Sequence, residues 1–249
     1  MPTRPLLEIA VQSLDEALAA AAAGADRLEL CADLDAHGLT PSPRLVEQVV
    51  RTVRVPVMAM LRPTVSLQTP RGTDRDALLA SARDLLAAGA AGLVFGYVLP
   101  DGSPDLALTR ELASLAPDAD LIFHRAFDLA PDPADALASL HAAGVRRVLT
   151  AGMAAPETRA LLEGRPAPFP ATALEARLAR LKHLATRALP GLEILPCGGV
   201  RAENAICFLL NARSGQVHAA CRVQAAGSSR LDLAAVRALR AALDGSGRV

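Results

Sequence analysis

The chain has 249 residues, with 26 basic and 26 acidic side chains and therefore no formal net charge. This balance argues against a nucleic-acid partner, because neutralising phosphates requires a surplus of lysine and arginine. Aromatic residues make up only 2% of the chain, which argues against stacking of bases or sugars as the main mode of recognition.

Eight apolar segments, each followed by a helical segment, recur along the chain. The helical stretches are alanine-rich and several end in glycine, which supplies the left-handed residue that closes a helix before the next strand. In chain order the predicted strands are LLEIAV from Leu6, DRLELC to Cys31, PVMAMLRP from Pro56, GLVFGYV to Val98, DLIFHRAF from Asp120, RVLTAG to Gly152, LEILPCGG from Leu192 and QVHAAC from Gln216. Eight alternating units of this kind predict an α/β protein with a single (β/α)8 TIM barrel. The alternative is an open doubly wound sheet, which would carry GxGxxG after its first strand, where this chain has VQSLDEAL.

The whole chain, 1–249, is predicted to form one domain, with a frayed tail at 244–249. The proline-rich stretch from Glu163 to Ala173 is predicted to be a loop before a long helix rather than a linker. No run approaches the roughly 18 apolar residues of a membrane span, and no signal peptide is apparent. The four cysteines are widely separated and form no CxxC pair. We therefore expect a cytoplasmic protein without a membrane partner.

Lys182 is the only lysine of the chain, and it lies in LEARLARLKHLATRAL, where leucines recur at helical spacing. An enzyme that forms an imine with its substrate needs a desolvated lysine. We expect Lys182 to face solvent on an amphipathic helix, which argues against imine-forming aldolase chemistry.

Charged residues interrupt strands that would otherwise be apolar. In TIM barrels the active site lies at the C-terminal ends of the strands, and buried charges are costly unless they meet partners. We predict that five side chains converge in one pocket at this mouth, namely Glu8, Glu29, Arg62, His124 and His218. Strand alternation places His124 on one face and Arg125 on the other. The opposing interpretation is that each charge belongs to a structural ion pair.

Carboxylates and imidazoles that share a site acquire pKa values suited to proton transfer. The candidate catalytic residues are Glu8, Glu29, His124, Asp128 and His218. A second motif, LPCGGVRAEN, offers glycine amides and a helix start to an anion, although a tight turn that needs glycine explains it equally well. The candidate substrate- or anion-binding residues are Arg62, Arg125, Gly198, Gly199, Arg201 and Asn204.

Two donor sets are candidates for a metal. Carboxylates and imidazoles suit a borderline or hard divalent ion, and four of them are available at Glu8, Glu29, His124 and His218. Arg62 in the same space would repel a cation. Cu(I) prefers thiolates and thioethers. Sulfur atoms occur in or near the strands at Cys31, Met58, Met60, Cys197 and Cys221. The other interpretation is that these are ordinary core residues.

GADRLELCADLDAHGLTPS, LRP, FHRAFD, RVLTAG and GVRAEN, in this order, resemble the CutC family, named as copper homeostasis proteins. The resemblance spans about residues 6–221. It implies a TIM barrel, a cytoplasmic location, homo-oligomers that are commonly dimers, and a role in copper homeostasis with copper bound through cysteine. Cys31 is the copper ligand that the resemblance favours. The positions that match the family motifs are Glu8, Glu29, Cys31, Arg62, His124, Arg125, Asp128, Arg201, Asn204 and His218.

The chain also departs from the family pattern. Ala10 stands where a cysteine is common, Thr64 replaces an arginine, and His37 replaces a glycine. Ala219 and Ala220 follow the histidine of strand eight, where the family has a serine. The missing thiolate weakens copper binding, and the missing arginine and serine point to a changed substrate or a weaker anion site.

Two functions remain open. The first is copper homeostasis of the CutC type, with Cu(I) as a candidate ligand. The alternative is a lyase, isomerase or hydrolase that acts on a small anionic or polyhydroxylated metabolite by general acid/base catalysis. For copper, we hypothesise that the chain has no preformed, high-affinity thiolate site, and that Cys197 and Cys221 are the more plausible surviving pair.

Overall fold

The computed structural model describes residues 4–162, 173–225 and 228–245, apart from the side chains of 160–162, 224–225 and 228. The strands are β1 Leu6–Val11, β2 Arg27–Leu30, β3 Val57–Met60, β4 Gly92–Phe95, β5 Asp120–Phe123, β6 Arg147–Thr150, β7 Glu193–Pro196, β8 Gln216–Ala219, β9 Arg222–Ala225 and β10 Ser228–Leu231. The α-helices are α1 Leu14–Ala22, α2 Pro43–Thr52, α3 Thr73–Ala87, α4 Leu106–Leu115, α5 Pro133–Ala142, α6 Ala155–Leu162, α7 Leu174–Ala185, α8 Ala205–Ala212 and α9 Leu233–Gly245. Short 3-10 helices cover Leu34–Ala36 and Arg125–Leu129.

The eight strands β1 to β8 form one parallel sheet in the order β7-β6-β5-β4-β3-β2-β1-β8. Strands β7 and β8, the two ends of this order, lie side by side, so the sheet curls into a nearly closed barrel. A consecutive order of this kind contradicts the open doubly wound sheet, in which the order reverses at one point. The predicted TIM barrel is therefore confirmed.

The predicted glycines lie where three of the helices end. Gly24, Gly89 and Gly144 follow α1, α3 and α5 with φ of 101°, 97° and 98°, the left-handed region that glycine enters without steric cost. Helices α1 and α2 begin on side-chain caps, since Ser13 accepts a hydrogen bond from the Glu16 N–H and Ser42 accepts one from the Leu45 N–H.

Apolar residues form two layers. Outward-facing strand residues such as Leu28 and Val148 pack with the helices in the larger core. Inside the barrel a smaller cluster contains Cys31, Met58, Met60, Val94, Ile122, Leu149, Ala151, Met153, Leu195 and Cys197. The inner positions nearest the amino-terminal ends of the strands are instead polar, and the polar cavity lies above the cluster at the carboxyl ends.

Three parts of the chain differ from the predictions. β5 ends at Phe123, shortly before the 3-10 helix that begins at Arg125, and β8 ends at Ala219, before the unpredicted β9–β10 hairpin. Residues 244 and 245, which were predicted to belong to a frayed tail, are the last two residues of α9. Residues 246–249, and the predicted loop up to residue 172, lie outside the described residues.

Lys182 is exposed on α7, as expected. Of the helices that the structure describes, none combines the length and apolar character needed to cross a membrane.

Candidate functional site

A cavity of about 150 Å³ lies at the carboxyl ends of the barrel strands. Apolar side chains that include Met60 and Leu149 form part of its wall. The polar residues that line it are Glu29, His37, Arg62, His124, Arg125 and His218. Four of the five side chains predicted to converge therefore share this cavity, and the fifth, Glu8, contacts it through His218.

Strand register brings Glu8, Glu29 and His218 together. Glu8 on β1 is aligned with His218 on β8 and with Arg27 on β2, while Glu29 stands two residues beyond Arg27 on the same face. The Nδ1 atom of His218 lies 2.7 Å from Glu8 Oε1 and 4.0 Å from Glu29 Oε2. The other oxygen of Glu29 lies 3.6 Å from the Cys31 sulfur.

The three groups hold protons differently. Burial opposes the charge of Glu8, but the Arg27 guanidinium and the hydrogen bond from His218 outweigh it and lower the Glu8 pKa to about 2. Burial, together with the charge of Glu8, raises the pKa of Glu29 against the opposing effect of His218. Burial lowers the pKa of His218, but Glu29 and Glu8 outweigh it and raise that pKa. Glu8 is thus a fixed anion, whereas Glu29 and His218 are the groups suited to exchange protons.

His124 is held as a neutral ring. Its Nδ1 accepts a hydrogen bond of 3.1 Å from the Ala126 N–H, so the proton of the neutral ring is on Nε2. Burial and the charges of Arg62 and Arg125 lower its pKa to about 3. In this state the free Nε2–H is a hydrogen-bond donor, which favours binding or polarising a ligand oxygen over accepting a proton.

The expectation that Arg125 faces away from His124 was wrong, because both residues line the cavity. Alternation between faces stops where a strand stops, and β5 ends at Phe123. His124 then caps the 3-10 helix Arg125–Leu129, and the tighter turn of that helix carries Arg125 back to the mouth.

At the cavity wall, the Arg62 guanidinium hydrogen-bonds to the loops that follow β2 and β3. Its Nη1 donates to the carbonyl oxygens of Ala36 at 3.0 Å and Gly38 at 3.2 Å, and its Nη2 donates to that of Val65 at 2.7 Å. Only Nε remains without a hydrogen-bond partner among the described residues. The Nε–H of Arg62 is therefore a donor available to a ligand.

Asp128 lies apart from these residues. Its carboxylate accepts hydrogen bonds from the Thr150 hydroxyl and, at 2.9 Å, from the Ala151 N–H, while burial raises its pKa to about 6. It lines a different cavity, together with residues of α7 such as His183. The geometry supports a structural role for Asp128, fastening the 3-10 helix to β6.

The predicted anion-binding turn after β7 is closed by its own hydrogen bonds. Gly198 and Gly199 have φ of 76° and 81°, so the turn requires glycine. The Asn204 side chain accepts from the Arg201 N–H at 2.8 Å and donates to the Gly199 carbonyl at 3.0 Å. These contacts favour the tight-turn interpretation, and the four residues lie outside the central cavity.

The predicted pairing of Cys197 with Cys221 was wrong. Cys197 lies inside the barrel in the same cluster as Cys31, whereas Cys221 packs in the outer core. The reason is that β8 ends at Ala219, and Cys221 has a left-handed φ of 46°.

The donor atoms do not fit a preformed Cu(I) site. Burial raises the pKa of the Cys197 thiol to about 12 and that of Cys31 well above its usual value, so both are protonated at neutral pH, whereas the metal ligand is the thiolate. One atom each from Glu8, Glu29 and His218 lie within 4.8 Å of one another, but oxygen and imidazole donors suit harder ions than Cu(I).

Sequence reasoning missed Arg27 and Gln216, which lie beneath the cavity. Arg27 binds Glu8 through Nε, and its Nη2 donates to the Gln216 side chain at 2.5 Å. A signal was present, because Arg27 and Gln216 stand two residues before Glu29 and His218 and therefore face the same interior.

Comparisons with known proteins agree with this architecture. The family model described as the CutC family matches residues 5–166. A family protein CutC of Sinorhizobium medicae is 34% identical, with 97% of each chain covered. The copper homeostasis protein cutC homolog of Homo sapiens is 32% identical, over 87% of this chain and 73% of the human protein. The crystal structure of CutC from Streptococcus agalactiae superimposes with a TM-score of 0.75 at 23% identity, over 86% of this chain and 98% of that chain.

Proposed function

Because the chain belongs to the CutC family, we propose that it acts in copper homeostasis, as the names of its relatives indicate, and that it does so as an acid/base enzyme. Its substrate is a small anionic or polyhydroxylated metabolite bound at the barrel mouth. The observation that carries the proposal is the pair Glu29 and His218, two buried ionisable groups whose Oε2 and Nδ1 atoms lie 4.0 Å apart at the wall of the cavity.

We assign each residue a role that agrees with its contacts. Glu8, kept ionised by Arg27, accepts the Nδ1–H of His218 and orients that ring. Glu29 takes a proton from the substrate or returns one to it, and His218 stabilises the charge that Glu29 acquires. His124 donates its Nε2–H to a substrate oxygen, so that negative charge developing there is stabilised without a proton leaving the ring.

Direct binding of Cu(I) is a second candidate function, and one observation favours it. Five sulfur-bearing side chains belong to one cluster inside the barrel, at Cys31, Met58, Met60, Met153 and Cys197. Binding there would first require a buried thiol to lose its proton, which its raised pKa opposes. Anaerobic Cu(I) titration against a competing chelator tests this: tight one-to-one binding that Cys31→Ser or Cys197→Ser abolishes would favour copper over the enzyme.

The proposal also covers the location and the oligomeric state of the protein. We place the protein in the cytoplasm as a homodimer, which is what the family resemblance implies. A reducing compartment suits three buried thiols that form no disulfide. Sedimentation of the purified protein would measure the oligomeric state.

Genetic complementation tests the proposed function. In a copper-sensitive bacterial strain lacking its own CutC-type protein, the wild-type chain should restore growth on copper. Glu29→Gln should fail, because an amide cannot exchange the proton, while Cys31→Ser should succeed. Restoration by Glu29→Gln together with failure of Cys31→Ser would contradict the acid/base proposal, and failure of the wild-type chain would contradict the role in copper homeostasis.

A further inference from the structure

Three residues on the wall of the central cavity carry a buried polar atom without a hydrogen-bond partner in the described chain. They are Glu29 Oε2, an acceptor, and Arg62 Nε and Arg125 Nε, two donors. A buried polar group without a partner costs about 1–3 kcal/mol. Three of them around one cavity indicate a ligand that accepts hydrogen bonds at one part and donates one at another.

The charge and the size of the cavity restrict this ligand. Arg62 and Arg125 bring two positive charges to the wall, and Glu29 is the only carboxylate among the lining residues in the described part of the chain. The cavity volume of about 150 Å³ is well below the roughly 300–1,000 Å³ of pockets that hold drug-sized ligands. A small anion of a few carbon atoms fits these conditions, whereas a nucleotide or a sugar phosphate exceeds the volume.

The donors favour a carboxylate over a phosphate. Phosphates are typically bound by several backbone N–H groups at a glycine turn or helix start. In this chain the glycine turn at Gly198 and Gly199 lies outside the cavity. The cavity instead offers side-chain N–H donors from Arg62, Arg125 and His124, which can satisfy the two oxygens of a carboxylate.

We propose that the central cavity binds a short 2- or 3-hydroxy carboxylate. The carboxylate lies against Arg125, the Nε of Arg62 and the Nε2–H of His124, and the hydroxyl donates its hydrogen to Glu29 Oε2. This inference rests on the proposed function, because it names the substrate class of that same site.

Isothermal titration with simple probes tests the ligand class. Lactate and glycerate are compared with propionate, which lacks the hydroxyl, with 1,2-propanediol, which lacks the carboxylate, and with inorganic phosphate. We expect at least one of the two hydroxy acids to bind at least tenfold more tightly than each of these three probes. Arg125→Gln should weaken that binding at least tenfold, whereas Arg110→Gln, which removes an exposed positive charge from α4, should leave it unchanged.

Several results would overturn the inference. These are tighter binding of phosphate than of either hydroxy acid, equal binding of propionate, an absence of hydroxy-acid binding, or an Arg125→Gln variant with unchanged affinity. If Arg125→Gln does not fold, the ranking of probes by the wild-type protein decides alone. If a hydroxy acid binds but the wild-type chain fails to complement, the inference about the ligand stands and the proposed function is contradicted. If the protein turns over a metabolite of another class, the proposed function stands and the inference about the ligand is contradicted.

Discussion

At the scale of single residues, the absence of a side chain at Gly96 leaves room for the His124 ring at the candidate site. A Cβ atom on Gly96 would lie 2.3 Å from His124 Nδ1, so any side chain there would displace the imidazole. We expect Gly96→Ala to lower the free energy of unfolding by about 1–3 kcal/mol and to weaken ligand binding at the cavity. Urea unfolding and titration measure the two effects. Gly245→Ala, where an added Cβ meets no atom within 4 Å, is the control, and equal effects of both substitutions would contradict this account.

The neutral state of His124 also makes a prediction about pH. The unfolded histidine takes up a proton near pH 6.5, whereas folded His124 does so only near pH 3. Between these values the unfolded state binds more protons, so the contribution of His124 to stability is present above pH 6.5 and is lost as the pH falls toward 3. The slope approaches about 1.4 kcal/mol per pH unit.

Unfolding of the wild-type chain and of His124→Gln between pH 7 and pH 4 measures this contribution. The difference in slope between the two should show a stronger loss of stability with acid in the wild-type chain. His183→Gln removes an exposed histidine of α7 and should keep the wild-type slope. Identical slopes for all three proteins would show that His124 titrates normally.

At the scale of elements, Asp128 ties the 3-10 helix Arg125–Leu129 to β6, so its loss should affect stability rather than binding. Asp128→Ala leaves the Thr150 hydroxyl and the Ala151 N–H without their acceptor. We expect a loss of about 1–3 kcal/mol for an unsatisfied buried donor, with ligand affinity in the central cavity unchanged within twofold. Asp118→Ala, on an exposed loop, should cost little. A large loss of affinity without a loss of stability would indicate that Asp128 acts in the site rather than as a structural residue.

The lengths of the strands also explain how much of the site could be predicted from the sequence. The period of two along each strand was enough to bring Glu29 and His218 to one interior, because that face is fixed wherever the strand continues. It failed for Arg125 and Cys221, which lie just beyond the ends of β5 and β8. The end of a strand depends on local hydrogen bonds, such as the one from Ala126 to His124, and the apolar pattern of the sequence does not encode these.

At the scale of the whole molecule, polar residues fill the amino-terminal end of the barrel interior. Arg147 binds Asp120 at 2.5 Å and Glu193 at 3.1 Å, and Gln216 joins Glu193 to Arg27. This network crosses the gap between β7 and β8, and through Arg27 it reaches Glu8. The sulfur-rich apolar cluster lies between most of this polar network and the cavity at the carboxyl ends of the strands. Arg27, on the amino-terminal side of the barrel interior, therefore helps to keep Glu8 ionised, while Glu29 and His218 line the cavity.

We propose that the barrel mouth works through proton exchange at Glu29 rather than through copper binding at Cys31. Mass spectrometry of a bacterial small-molecule extract, incubated with wild-type, Glu29→Gln or Cys31→Ser protein, tests it most directly. We predict that at least one small anionic metabolite is consumed at similar rates by the wild-type chain and Cys31→Ser. Glu29→Gln should be at least about 100-fold slower, the usual contribution of a general acid or base. Equal consumption by Glu29→Gln, or loss of consumption in Cys31→Ser alone, would contradict the account.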